Sequence, residues 1–525
     1  MIPPNFILIM TDQHRADHLG CSGNNTVRTS NLDALAQTGT RFSKMYVANP
    51  VCMPNRASIM TGRLSSVHGG RDNGIPMSRD HTTFVDVLKD AGYKTSLIGK
   101  SHLQNFMSGP PVHKFELQKG LTPSSSQLRE AIKTTRSGPH YNLENAQAWP
   151  TPLMQRANQF SNDFYGFEHA EVCTGHGDGV GGDYLLWARE QDPNIDSLRG
   201  PKNALPKEGF DAPQAFRSAV PTELHPTTWI TDRSIAKLKE YGENNSHPFF
   251  MQISYPDPHH PFAPPGEYWG SYDPHEMDLS ASFHYGNLPA VQAMRDALKD
   301  GSSIRNGTQP FAVSEGEARV LTALSYSMIT MIDEAIGRVL ASLSEQQLER
   351  DTVVIFTSDH GDMMGDYGIM LKRYFHNQGV IRVPFVWNDS ANRATTLNAD
   401  LCSSIDISAT ILARAGLQPF HGCQGRDLFS STAPMGVLVE EDIQRPMIGT
   451  PPLERIRTYV SDSWRITLRA NDGCNELFNL NDDPSEIRNL FGSDEAKETQ
   501  AELSAEMLKH TIAFQDQSPL PTGRA

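Results

Sequence analysis

Apolar positions in this chain fall into short unbroken runs separated by stretches of helical period. Residues 6–10 (FILIM) are continuous and of strand length, and similar runs stand at 94–98, 249–254 and 353–357. A run without polar alternation is what a strand covered on both faces requires. Helical patterns lie between them. Ser30 and Gly39 bracket one at 31–38, and another at 83–91 stops at Gly92; Ser before and Gly after are residues that satisfy the free N–H and C=O groups of helix ends. Ser314 and Glu317 have the spacing of a capping box and open a long helix reaching about residue 343. Strands alternating with helices predict an α/β fold with a mostly parallel sheet flanked by helices.

Two regions depart from this rhythm. From 104 to 213 the pattern dissolves into Pro, Ser, Gly and polar residues, which predicts an insertion of loops and short helices, a usual place for substrate-specific walls. After a helix at 405–415, short strands at 435–439, 457–460 and 464–469 and a terminal helix at 498–515 predict a small α+β domain. The expected division is therefore 1–430 and 431–525. The Pro-containing tail beyond 515 is expected to be disordered or to clasp a neighbouring copy, which would make a homo-oligomer.

Composition removes several classes of function. A net charge of −15 argues against nucleic acid, whose phosphates call for a basic face, but a few cations in one cleft can still bind a small anion. The six cysteines form no Cys-x-x-Cys pair, so neither a zinc knuckle nor a dithiol redox motif is supported. No charged leader with an apolar stretch opens the chain and no run has membrane length, so the sequence reads as cytoplasmic, without a membrane partner.

Polar residues follow the apolar runs directly: Asp12 and Gln13 after FILIMT, Lys100 and His102 after KTSLIG, His259 after FFMQISY, Asp359 and His360 after VVIFTS. In an open parallel sheet, ligands bind beyond the carboxyl ends of the strands. Four strands delivering acid, base or metal-type side chains to that edge form a coherent site, although Asp12 alone would pass for a helix cap. A bare Gly-x-Gly-x-x-Gly at 177–182 is a weak dinucleotide signal, because Asp178 inside it would repel a pyrophosphate.

The sharpest feature is Cys52-Met53-Pro54-Asn55-Arg56, followed by Thr61-Gly62. Cys52 reads as a buried structural cysteine, or as a thiolate activated at a helix N-terminus. A third reading comes from resemblance. Cys-x-Pro-x-Arg resembles the sulfatase signature, and the blocks PNFILIMTDQHRADHLGCSGN, LIGKSHL, PDPHHPFAPP, TSDHGDMMGDYG, LKRYFHNQGVIRVPF and ELFNLNDDPSEIRNL resemble sulfatase blocks in the family's order.

The resemblance implies an alkaline-phosphatase-like α/β domain with a short antiparallel sheet near the C-terminus. It implies that a formylglycine-generating or equivalent maturation enzyme oxidises Cys52 to formylglycine, whose hydrate attacks sulfur or phosphorus. It assigns Asp12, Gln13, Cys52, Asp359 and His360 to one divalent cation, Ca²⁺ first and Mn²⁺ or Mg²⁺ as alternatives. It assigns Arg56 and Lys100 to the nucleophile's oxygens and the anionic ester, His102 to the base, His259 and Lys372 to the leaving-group side, and His376 to substrate contact. Gln13 stands where many sulfatases have a second Asp, and Asn55 where Ser is common. The implied reaction is hydrolysis of a sulfate monoester. A phosphonate monoester or phosphodiester hydrolase would use the same site, and an unmodified Cys52 would leave a protein that binds an ester without turning it over.

Overall fold

The computed structural model describes residues 3–107, 117–125, 128–132, 136–145, 151–159, 164–392, 396–429 and 432–523. Fifteen strands are present among these: β1 Asn5–Thr11, β2 Thr40–Tyr46, β3 Lys94–Gly99, β4 His169–Thr174, β5 Gly181–Gly182, β6 Phe249–Ser254, β7 Phe311–Ala312, β8 Thr352–Ser358, β9 Ile369–Met370, β10 Phe385–Asp389, β11 Thr396–Ser403, β12 Gly436–Ile443, β13 Glu454–Ser461, β14 Trp464–Arg469 and β15 Glu476–Asn479.

Nine of them form one mixed sheet in the order β11-β2-β10-β8-β1-β6-β3-β4-β5. The run β8, β1, β6, β3, β4 is parallel throughout; β10 is antiparallel to both β8 and β2, so β2 and β11 run in the direction of the main set, and the short β5 is antiparallel to β4. Strand β1 is buried along its whole length and feeds both faces. Phe6, Leu8 and Met10 join one apolar cluster, while Ile7 and Ile9 join a second on the opposite side with the helices Pro226–Glu243 and Glu315–Glu345. The alternation follows from the two-residue period of a strand, and explains why FILIM carries no polar residue. The long helix opens with the expected capping box between Ser314 and Glu317.

Within 104–213 the described residues include the short helices Leu153–Ala157 and Asp183–Gln191, but also β4, which extends the main sheet. HAEVCT has too few apolar residues in sequence to announce a strand; its neighbour β3 supplies the pairing. Strands β2 and β11 and the helix Pro226–Glu243 are likewise not visible as patterns, because their exposed or half-buried positions are set by tertiary neighbours, and β10, though buried, is only five residues long.

The last four strands make a separate antiparallel sheet, β12-β13-β14-β15, covered by the helix Lys497–Ala513. Beyond that helix the tail differs from expectation. It docks on its own chain, with Asp516 paired to Arg63 and the Gln517 carbonyl 2.9 Å from His421 Nε2. No helix among the described residues is long and apolar enough to cross a membrane.

Candidate active site

Register brings the site together. Thr11 lies beside Ser358 of β8, Met10 beside Ser254 of β6, and Gly99 beside Ser254 and Val172. Four parallel strands therefore end on one line, and whatever follows each emerges at the same edge: Asp12 and Gln13, Asp359 and His360, Lys100 and His102, and His259 and His260. Backbone bonds continue the ladder past the ends, from Asp359 N to Thr11 O at 3.2 Å and from Lys100 N to Ser254 O at 2.8 Å. Gly99 permits this close approach: its φ is +105°, and a Cβ there would lie 2.0 Å from the Ser254 carbonyl oxygen. A fifth strand, β4, adds His176, which sequence reasoning misses. The rule that finds the other residues, polar groups just after a strand, would find it if β4 were recognisable.

Cys52 is the first residue of the helix Cys52–Thr61 and is 1% exposed. Its Sγ lies 3.1 Å from His360 Nε2 and 3.9 Å from Asp12 Oδ1. His360 Nε2 is in turn 3.5 Å from both Asp12 Oδ1 and Asp359 Oδ1. These four residues form a compact donor set suited to a cation. Nδ1 of His360 donates to the Gly361 carbonyl at 2.9 Å, which directs Nε2 at the set. Burial lowers the imidazole pKa but Asp359 and Cys52 more than offset it, and a cation bound there would take the Nε2 lone pair in place of the proton. Two carboxylates, one imidazole lone pair and the residue 52 side chain fit a hard divalent cation tolerant of one nitrogen.

Arg56 braces the carboxylates. Its Nε donates to Asp359 Oδ2 at 2.7 Å, Nη2 reaches Asp12 Oδ2 at 3.4 Å, and Nη1 donates to the Lys100 carbonyl and Ser254 Oγ. Asn55 does similar work, donating to the Asp359 carbonyl at 2.6 Å and accepting from Ala48 N and Ser404 Oγ. The Gln13 side chain has these partners: Oε1 accepts from Lys372 Nζ at 2.8 Å, and Nε2 faces Asp362 and His260. Its backbone N donates to Asp359 Oδ1 at 3.2 Å.

Two ammonium groups face this set, each touching a histidine. Lys100 Nζ bonds Asp12 and lies 2.7 Å from His176 Nε2; Lys372 Nζ lies 2.7 Å from His259 Nε2. The rings of His176 and His259 stack at 3.6 Å, and His260 stacks on His259 at 4.0 Å. Burial and the neighbouring cations hold His176, His259 and His102 well below the usual imidazole pKa, so all three are neutral. Burial pushes the Asp12 carboxyl up, but Lys100, Lys372, His360 and Arg56 outweigh it and keep it ionised. Burial and Asp12 raise the Cys52 thiol, while Lys372, Lys100 and His360 more than reverse this. His102 stacks on Phe106 at 3.9 Å with its Nδ1 unpartnered among the described residues.

Gln13, His102, Leu371, Arg373 and Tyr374 all have positive φ, and non-glycine residues held so cluster where function over-determines the backbone. The segment carrying Lys372 is gripped by the C-terminal sheet. Tyr374 N donates to Glu441 Oε2 at 2.8 Å, and Arg469 Nη2 donates to the Tyr374 carbonyl at 3.1 Å. His376, expected at the substrate, has both ring nitrogens occupied, Nδ1 by Thr458 Oγ1 at 2.7 Å and Nε2 by Glu441 Oε2 at 3.2 Å. The glycine-rich loop at 177–182 does follow a strand and precede a helix. Its interior is filled by Asp178, which accepts from Ser218 Oγ and Gly200 N.

Comparison with known proteins agrees with this arrangement. The sulfatase family model matches residues 4–417. An arylsulfatase of Clostridium perfringens is 28% identical over 515 residues, covering 94% of this chain and 92% of that protein. The multifunctional alkaline phosphatase superfamily protein PehA of Trinickia caryophylli is 28% identical over 447 residues, 82% of this chain and 77% of that one. Among solved structures, the phosphonate monoester hydrolase of Agrobacterium radiobacter superposes with a TM-score of 0.74 at 22% identity, covering 98% and 97% of the two chains. With a family match over most of its length, the chain belongs to the sulfatase family of sulfuric ester hydrolases.

Proposed function

We propose that this protein hydrolyses a sulfate monoester, with residue 52 as the nucleophile and one divalent cation beside it. The observation that carries the reading is the convergence of Cys52, Asp12, Asp359 and His360 opposite two buried ammonium groups. Such a site gathers negative charge on one side and offers N–H donors to an anionic ester on the other. Oxidation of Cys52 to formylglycine by a maturation enzyme would supply a hydrated aldehyde as the attacking oxygen. Asp12, Asp359, His360 and residue 52 would hold the cation, Ca²⁺ first, which when bound lowers the pKa of an oxygen nucleophile. Gln13 would join them through Oε1, which accepts from Lys372 here, and its backbone N–H steadies Asp359.

The chain's own residues perform the rest. Arg56 fixes the two carboxylates so that they cannot rotate away from the cation. Lys100 and Lys372 donate to the ester oxygens, where charge grows in the transition state. Lys372 and His259, in contact at 2.7 Å, hold the proton that the leaving oxygen needs. His102, neutral and with a free ring nitrogen, accepts the proton of the second hydroxyl at residue 52.

The second reading is a phosphonate monoester or phosphodiester hydrolase. Its support is that Cys52, Asp12, Asp359, His360 and the two ammonium groups would serve a phosphorus ester as well as a sulfate, since sulfate monoesters, phosphonate monoesters and phosphodiesters are all monoanions. One aryl leaving group presented as sulfate monoester, phosphonate monoester and phosphodiester separates the two through kcat/KM. Preference for the sulfate by several orders of magnitude supports the first reading, and preference for a phosphorus ester replaces it. Peptide mass at residue 52 must show the aldehyde; an unmodified thiol in active enzyme would remove formylglycine from the scheme.

A further inference from the structure

Next to the nucleophile's helix stands a group of arginines that the chemistry above does not use. Asn73 Oδ1 accepts from Met53 N at 3.1 Å, so the Asp72–Asn73 turn abuts the residue after Cys52. Arg373, the neighbour of Lys372, pairs with Asp72 at 2.7 Å and is only 3% exposed, yet its Nη1 has no partner among the described residues. Its φ of +86° turns it out of the path of a regular strand. From the other direction, the chain leaving β12 brings Gln444 N to 3.2 Å from Asp72 Oδ2 and lays half-buried Arg445 over the Asn73 carbonyl at 3.5 Å. Among the described residues, no carboxylate pairs with the Arg445 guanidinium.

Carboxylate oxygens nearby are largely committed, Glu441 Oε1 being the one without a partner among the described residues. Asp442 is shared by Arg71, Arg455 and Arg457, and Glu441 serves Tyr374 N and His376. Of these carboxylates Asp72 alone pairs with Arg373, and it also accepts the backbone N–H groups of Asn73 and Gln444. A buried guanidinium with an unmet N–H is costly to leave so, and a planar fork beside a second cation is suited to an oxyanion.

We propose that Arg373 and Arg445 form a second anion subsite beside residue 52, so that the preferred ester carries a further carboxylate or sulfate besides the group cleaved. This rests on the ester-binding reading above and narrows it to doubly anionic substrates. A quaternary ammonium ester would meet the wrong charge here.

The test is calorimetric binding to the full chain of non-hydrolysable probes: benzenesulfonate with one anion, 3- and 4-sulfobenzoate with an added carboxylate, and 1,3-benzenedisulfonate with an added sulfonate. A doubly anionic probe should bind about tenfold or more tightly than benzenesulfonate. The stronger of the carboxylate and sulfonate arms names the second anion. Arg445→Glu, at a half-exposed position that leaves the core intact, should cut that advantage to less than about threefold. Arg373→Gln should do the same in protein shown to be folded by its unfolding transition. Equal binding of all four probes, no binding of any, or an advantage that survives both variants overturns the subsite. Turnover of phenyl sulfate is measured separately. Hydrolysis without probe preference defeats the subsite alone, and preference without hydrolysis defeats the hydrolase reading alone.

Discussion

Arg465 and Arg469 of the C-terminal sheet are buried cations, and so are Lys100 and Lys372 at the edge of the main sheet. Their surroundings differ. Arg465 pairs with Glu486 and Glu476, and Arg469 with Glu476 at 2.8 Å, while Glu486 also accepts Gln378 N. Burial pushes the Glu476 carboxyl up, but the two arginines more than offset it and keep it ionised. Most partners come from adjacent strands of one small sheet, charge meets charge, and the result is a clamp. At the main-sheet edge the partners lie 76 to 359 residues away in sequence, neutral histidines receive ammonium N–H groups beside Asp12 and Gln13, and the His102 Nδ1 remains open among the described residues. The first network sets its cations against carboxylates, although Arg465 Nη2 and Arg469 Nε stay unpartnered among the described residues; the second sets both of its cations against histidines and turns them toward one space. A buried charged cluster is a site when its members are directed at a common space, and a fastening when they are directed at each other.

The sharpest way to break this contrast is Cys52→Ala. It should lower kcat/KM by about 10⁴-fold or more while unfolding stays near that of the parent; a comparable loss of stability would make the helix Cys52–Thr61 structural. Glu486→Ala should do the reverse in kind. Removing the nearer of Arg465's two carboxylate partners and leaving only Glu476 should cost about 3 kcal/mol in denaturant unfolding, and a cost under about 1 kcal/mol would show that the clamp is not one. Lys372→Met should lower kcat/KM by about 10²-fold or more. Its unfolding free energy should move by less than about 1 kcal/mol, since a cation surrounded by neutral acceptors leaves no orphaned charge behind.

The smallest effect concerns neither network and calibrates both. Burial holds His225, at the start of the helix Pro226–Glu243, down to about 3. Between its ordinary value near 6.5 and 3, the unfolded chain binds a proton that the folded one refuses. Its stabilising contribution is therefore complete above about pH 6.5 and is lost as pH falls, on the order of 2 kcal/mol at pH 5. Unfolding of His225→Asn at pH 7 and pH 5 should show that much less acid sensitivity than the parent. Equal sensitivity would mean that the ring is charged or exposed.

Much of the site is legible in the order of residues along the chain. Asp12, Lys100, His259 and Asp359 stand directly after apolar runs, and a parallel sheet has a common edge where such residues meet. His176 is not legible, because β4 has little apolar signal and is a strand only beside β3. The grip on Lys372 is not legible either. Glu441 and Arg469 reach the segment from strands far along the chain, and His376, which motif position assigns to substrate, is held by Thr458 and Glu441 instead.

The sequence by itself determined the buried strands, the capped helices, the acidic exterior and the row of reactive residues at strand ends. Each of these depends on neighbours within a few positions, through strand period, helix caps and the need to cover apolar surface. Only the tertiary structure decided which polar group each side chain faces: that Gln13 turns its side chain to Lys372, that Arg56 braces two carboxylates, and that Arg373 keeps an N–H unmet. Those choices are made by register between distant strands and by how the small sheet seats on the large one, and no local pattern along a chain encodes a distance across it.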